Sequence, residues 1–184
     1  MNEHLTTFLA HHTPCAEETS VWGDGTINLR ITSYLSQELP PQDEEIMSVR
    51  AVVLHKESVL VVRDPNCYHL LPGGRREGEE TLLQTLRREV LEETGWTFIH
   101  PTLIGFKHFY HLTPKPINYP YAYPDFFQVI YAVLAASFEP AGMQEDPYVL
   151  ESFFQPLSVI DTLRLVQSEL CYLHEALRVL GKQG

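Results

Sequence analysis

The chain has 184 residues, 44% of them hydrophobic and 20% charged, with a formal net charge of −11 at pH 7. That length suits one domain with a buried core. That acidity excludes general nucleic-acid binding, which needs a basic surface, yet an acidic protein can hold a phosphate compound where metal ions stand between the two sets of negative charge.

The first residues, "MNEHLTTFLAHHTP", lack the basic start and long apolar run of a signal peptide. No stretch reaches the roughly 18 apolar residues of a membrane span. Cys15, Cys67 and Cys171 are odd in number and lack metal-site spacing, which fits reduced thiols in a cytoplasmic protein. His11 and His12 read as a solvated pair. Residues 1–45 form an N-terminal extension in which "INLRITSYL" alternates Ile27, Leu29 and Ile31 with polar neighbours, the pattern of a half-buried strand. "WGDG" before it is a turn, and "PPQDEE" closes it. The main domain, 46–184, begins with "VRAVVLH" and "SVLVVR", two β-branched runs separated by Lys-Glu as in a hairpin. "DPNCYHLLPGG" is a turn-rich approach to the next element.

That element is a helix. Thr81 and Gln84 match a capping box, and Gly95 matches the left-handed residue that ends a helix, so the spacing predicts a helix over 82–93. At about 100° per residue, with Leu82 at zero, Leu86, Val90 and Leu83 fall at about 40°, 80° and 100° and define the buried stripe. Glu93 falls at about 20°, on that stripe, with Glu89 at about 340° and Glu92 at about 280° along its border. A solvated charged face would keep its carboxylates away from the leucines. A buried carboxylate costs several kcal/mol unless paired or bound to metal, and three at i, i+3, i+4 repel one another beyond what Arg88 alone offsets. A hard divalent cation with oxygen ligands removes both costs. Gly73-Gly74, entered through Pro72, lets backbone approach a ligand closely, and a carbonyl there can join a coordination shell. The phosphate-cradling Gly-Lys-Ser/Thr pattern is missing.

Beyond the helix, "TLIGFKHFYHL" and "FFQVIYAVLAASF" read as strands joined by "TPKPINYPYAYPD", a proline-stiffened loop carrying Tyr119, Tyr121 and Tyr123. In a strand, His108 and His111 point to opposite faces and do not act as a pair. From Ser158 the tail is helical by pattern, with Val159, Leu163, Val166, Leu170, Leu173, Leu177 and Leu180 alternating in steps of four and three. This predicts a helix over 158–180, packed on the sheet or offering a coiled-coil-like seam to a second copy in a homodimer. No internal repeat is present.

Gly74, five residues, Glu80, seven residues and "REVLEETGW" together resemble the Nudix box of the MutT-like hydrolases. Gly74, Glu80, Arg88, Glu89, Glu92, Glu93 and Gly95 stand at the fixed positions, and Val90 and Trp96 at the apolar ones. Glu79 stands where such loops commonly have glycine. The likeness covers roughly residues 46 to 160, with the box at 74–96. It implies a Nudix-type α/β/α sandwich with a mixed β-sheet, and Mg²⁺- or Mn²⁺-dependent hydrolysis of a nucleoside diphosphate linked to another moiety. It further implies Glu89 and Glu93 as metal ligands, Glu92 as a third ligand or water holder, and Gly73 as a carbonyl donor. Arg88 then orients the glutamates and Glu80 supports the site. Much of the family uses a further glutamate from a late loop. "EPAGMQEDPYVLE" offers Glu139, Glu145, Asp146 and Glu151, with Glu145 preferred as the base. Gly74, Tyr121 and Tyr123 are candidates for binding substrate, the tyrosines by stacking on a base.

The alternative is a Nudix-fold module that senses a nucleotide without cutting it; the intact set of box glutamates argues for hydrolysis. A structural calcium protein fits poorly, because the carboxylates lie on a helix rather than in a 12-residue loop.

Overall fold

A computed structural model describes residues 3–181 apart from 24, 120, 146 and 147. Helix α1 (Glu3–Ala10) leads into β1 (Pro14–Trp22), β2 (Ile27–Leu35), β3 (Ile46–His55), β4 (Ser58–Arg63), β5 (Tyr68–His69) and β6 (Gly73–Arg75). Then come α2 (Leu82–Thr94), β7 (Trp96–His111), β8 (Asp125–Phe138), β9 (Glu151–Pro156) and α3 (Gln167–Leu180). The strands form a mixed sheet in the order β1-β2-β7-β8-β3-β4-β5, with β6 beside β3 and β9 beside β4. β3 and β8 run parallel, and the remaining pairs are antiparallel. β1 and β2 pair with one another and β2 with β7, so residues before Ile46 belong to the same sheet.

Helices cover both faces, as side-chain alternation along β3 requires. Val49, Ala51 and Val53 pack with Leu86 and Val90 of α2. Val52 and Leu54 pack with Tyr172, Leu173, Ala176 and Leu180 of α3. Leu86 and Val90 are fully buried, each contributing about 1.5–3 kcal/mol relative to exposure. Between the helices β3 and β4 part company. They pair only at Leu54–Val59 and His55–Ser58, beyond which β3 pairs with β6 and β4 with β5, while β9 runs along the whole other edge of β4. The split brings the Gly73-Gly74 segment against β3 at the edge of α2.

The tail differs from expectation. A 3-10 turn spans Leu157–Leu163, Arg164 adopts a left-handed conformation at φ 52°, and the α-helix starts only at Gln167. Val159 and Val166, expected on the apolar stripe, are exposed. A left-handed residue cannot continue a right-handed helix. The face of α3 expected to serve either the sheet or a seam lies on the sheet of its own chain, with Tyr172 donating its hydroxyl to the Phe106 carbonyl at 2.8 Å.

Candidate active site

Local rules set α2 in place. Thr81 Oγ1 accepts the Gln84 backbone N–H at 3.3 Å, and Gln84 Oε1 accepts the Thr81 N–H at 2.9 Å. At the other end Gly95 has φ 72° and donates to the Leu91 carbonyl at 2.8 Å. With both ends fixed and Leu86 and Val90 turned inward, Glu89, Glu92 and Glu93 share one edge.

Arg88 organises that edge. Its Nε and Nη2 grip the two Glu80 oxygens at 2.7 and 2.9 Å, a bidentate pairing that is strong and directional. Nη1 donates to Glu89 Oε1 at 2.9 Å and Glu92 Oε2 at 3.1 Å, and Nη2 also reaches the Arg75 carbonyl at 3.0 Å. The Arg88 hydrogen bonds hold the Glu80 carboxyl at about 2, below its ordinary 4.5. Glu89 moves the other way. Burial raises its pKa, and Arg88 offsets that only in part. Glu89 is thus a desolvated carboxylate in need of positive charge.

Glycine is needed where β6 meets this edge. Gly73 has φ 131°, and a Cβ there would lie 2.3 Å from the Val49 carbonyl oxygen; one on Gly74 would lie 2.4 Å from the Glu89 carboxylate. Gly73 N–H donates to Glu93 Oε2 at 2.7 Å, locking the strand to the helix. Gln144 reaches α2 from the late loop, with its backbone N–H on the Glu92 carbonyl at 3.0 Å and its side-chain amide on Glu92 Oε1 at 2.8 Å.

Gly73, Gly74, Glu89 and Glu93 line one side of a cavity of about 420 Å³. Its lining also includes Ser48 and an aromatic wall of Trp22, Phe109, Tyr121, Phe126 and Tyr148. Phe109 and Phe126 stack at 4.6 Å, Tyr121 lies over Phe126 at 5.1 Å, and Trp22 closes against Phe109 at 5.8 Å and Tyr121 at 6.1 Å. Arg75 sits 4.6 Å over the Tyr121 ring, and Arg50 and Gln128 complete the lining.

The expected site residues divide accordingly. Glu89, Glu93, Gly73, Gly74 and Tyr121 line the cavity, whereas Arg88, Glu80 and Glu92 form the network behind it. Tyr123 does not line it; its ring lies 5.0 Å from His111 and its hydroxyl donates to the Thr113 carbonyl at 3.4 Å. Glu145 is exposed beside Gln144, and Asp146 lies outside the described residues. Glu139 accepts from the Ser137 hydroxyl, and Glu151 pairs with Arg63. His108 is buried against Asp125 at 2.7 Å, while His111 is buried beside Tyr119. His12 is bound to the Phe8 carbonyl and the Ser36 hydroxyl.

Trp22, Arg50, Phe109, Phe126 and Gln128 escape a reading of the sequence. Phe109 and Phe126 are visible as strand aromatics, but their meeting depends on the β7–β8 register. Trp22 ends a strand too polar to show an apolar rhythm.

In the present side-chain arrangement the carboxylates face arginine and amide donors. Among the described residues, no three acidic, imidazole or thiol groups converge at metal-ligand spacing. The donor set nonetheless suits a hard divalent cation. It is all oxygen, it includes the desolvated Glu89, and Glu93 lies one turn away on the same wall.

The NUDIX domain family model matches residues 44–170. Among solved structures, the chain is similar to a pyrophosphohydrolase from Bacillus subtilis, at 18% identity over 91% of this chain and 98% of that one, with a TM-score of 0.57. A NUDIX hydrolase from Nitrosomonas europaea is 21% identical over 70% of this chain and 85% of its own, with a TM-score of 0.54. The NUDIX domain of Shewanella oneidensis NrtR, solved with ADP ribose, is 21% identical over 78% and 93%, also at 0.54. At these identities the likeness is one of fold. No curated protein is significantly similar in sequence.

Proposed function

The chain belongs to the Nudix hydrolase family, and from that premise we propose that it hydrolyses the diphosphate linkage of a nucleoside diphosphate joined to a second moiety. The observation that carries this reading is the placement of Glu89 and Glu93 in the lining of a cavity that also has an aromatic wall. The aromatic wall suits a flat base, and the acidic wall suits cations that accompany a diphosphate.

Family members generally use divalent metals, and here Glu89, Glu93 and the Gly73 carbonyl would hold Mg²⁺ or Mn²⁺, with Glu92 as third ligand or water holder. Such a cation neutralises the diphosphate and acidifies a coordinated water. The chain's own groups do the rest. Arg88 orients Glu89 and Glu92 through its hydrogen bonds, and Glu80 fixes Arg88 from the loop side. Arg50 adds a cation to the cavity lining, and Tyr121, backed by Arg75, stacks on the base. Glu145 is the proton acceptor in this reading, brought to the end of α2 by the Gln144–Glu92 bonds. Water adds across the P–O–P bridge, so the products are a nucleoside monophosphate and the phosphorylated second moiety.

The test is product release from nucleoside triphosphates, nucleotide sugars, dinucleotides and ADP-ribose, with and without Mg²⁺ or Mn²⁺. Metal-dependent cleavage supports a hydrolase. Metal-dependent binding with no cleavage of any compound would replace it with a sensor. Among the described residues no helix is long and apolar enough to cross a membrane.

A further inference from the structure

A second cavity, of about 250 Å³, adjoins the first: Arg50 and Gln128 line both. Beyond that joint it is walled by His69, Lys107, Asp64 and Glu169, with Leu71 the one apolar residue of the lining. Lys107 and Glu169 are buried, at 9% and 5% exposure. A buried lysine and a buried carboxylate facing one small space are costly to maintain without hydrogen-bonding partners. Their placement bears on which second moiety the enzyme accepts.

The basic groups already have hydrogen-bonding partners. Lys107 Nζ lies 3.5 Å from Glu18 and 3.2 Å from the Ser168 hydroxyl, and Arg50 Nη1 donates to the Leu71 carbonyl at 2.7 Å. Burial lowers His69 to a pKa of about 4, leaving it neutral near pH 7. Against these stand Asp64, whose carboxylate accepts from the Asn66 and Cys67 amides, and Glu169, which accepts the Leu70 N–H at 3.0 Å. A terminal phosphate carries about −1.5 to −2 charge. In this space it would meet the Asp64 carboxylate, basic groups that already have partners, and Glu169, whose pKa burial raises. An uncharged hydroxylated ring would meet both donors and acceptors, and Leu71 would offer an apolar contact to its C–H groups. The volume equals that of about eight liquid waters, room for one monosaccharide and little more.

Resting on the hydrolase reading above, we propose that this second cavity receives the sugar of a nucleoside diphosphate sugar and selects it over the terminal phosphate of a nucleoside triphosphate. Gln128 and Glu169 are the specificity-determining residues: Gln128, whose Nε2 donates to the Ser48 hydroxyl at 3.1 Å, offers its carbonyl oxygen at the joint, and the buried Glu169 offers a carboxyl oxygen to a sugar hydroxyl.

The experiment compares ADP-glucose with ATP and UDP-glucose with UTP, so that base and diphosphate are held constant within each pair. For the natural sequence, kcat/KM for the sugar compound exceeds that of its triphosphate by at least about tenfold in one pair, the discrimination expected of a site built to hydrogen-bond its ligand. Gln128→Met lowers that ratio about tenfold, the worth of one such hydrogen bond. Glu169→Gln, which keeps an acceptor for the Leu70 amide but replaces the second carboxyl oxygen by an amide nitrogen, lowers it by weakening the sugar compound. A preference for triphosphate in both pairs, or a ratio unmoved by either variant, overturns the proposal. Calorimetric binding of the same pairs separates the two readings. If nothing is cleaved, the hydrolase reading fails; tighter sugar-nucleotide binding then still supports the subsite. Equal or tighter triphosphate binding, or no binding of either compound, overturns it.

Discussion

Glu89 and Glu93 reach the cavity from one turn of one helix, whereas Trp22, Phe109 and Phe126 reach it from three different strands and Tyr121 from a loop. The acidic wall is local. Its spacing follows from helix geometry, its ends from Thr81 and Gly95, and its charge balance from Arg88 within the same segment. The aromatic wall exists only because β1 pairs with β2, β2 with β7 and β7 with β8 in one register. The difference assigns the walls different work. In the proposed function, cation-dependent chemistry would rest on the helix, and choice of substrate on a surface assembled from distant parts of the chain.

This division can be broken experimentally, and the largest effect is expected on the acidic wall. Glu93→Gln removes a proposed cation ligand and lowers kcat about a thousandfold in steady-state assays, with helicity by circular dichroism unchanged. Trp22→Ala acts on the other wall. Base stacking is worth about 1–3 kcal/mol, so KM rises about tenfold while kcat falls far less. A Trp22 variant that loses kcat as Glu93→Gln does would erase the distinction between the walls.

Smaller effects sharpen the account of how the helix edge is held. Glu80, held at about 2 by Arg88, gives stability that is full above its ordinary 4.5 and is lost as pH falls toward 2. In Glu80→Gln the fall in Tm between pH 5 and pH 2 is therefore shallower, by about 5 °C. Glu89 has the opposite sign. Its raised pKa means that its ionisation opposes folding as pH rises, and a bound cation would relieve that. The smallest change is Thr81→Ala, which removes the N-cap and costs about 1 kcal/mol, seen as a Tm lower by about 2–4 °C.

The same local-versus-distant contrast explains what could be read from the residues alone. The span of α2, its capping box, the left-handed Gly95 and the shared edge of Glu89, Glu92 and Glu93 all depend on residues within a few positions of each other. β2 and β4 were visible because each alternates or clusters apolar residues over its own length. β1 was not, since it is an edge strand with exposed and half-exposed side chains throughout. The tail pattern misled because its steps of four and three continue through Arg164, where the backbone turns left-handed and divides a 3-10 turn from α3. Arg50 and Gln128, which join the two cavities, stand next to one another only through β3–β8 pairing, and no spacing in the sequence records that.

In the proposed function the carboxylate edge of α2 gathers divalent cations. The decisive measurement is a calorimetric titration of Mn²⁺, at neutral pH, into the natural protein and into the Glu89→Gln, Glu93→Gln double variant. Saturable binding in the first that disappears in the second, with both proteins folded, is the predicted result. Equal Mn²⁺ binding by the two, or none by the natural protein with and without a nucleotide sugar present, would contradict it.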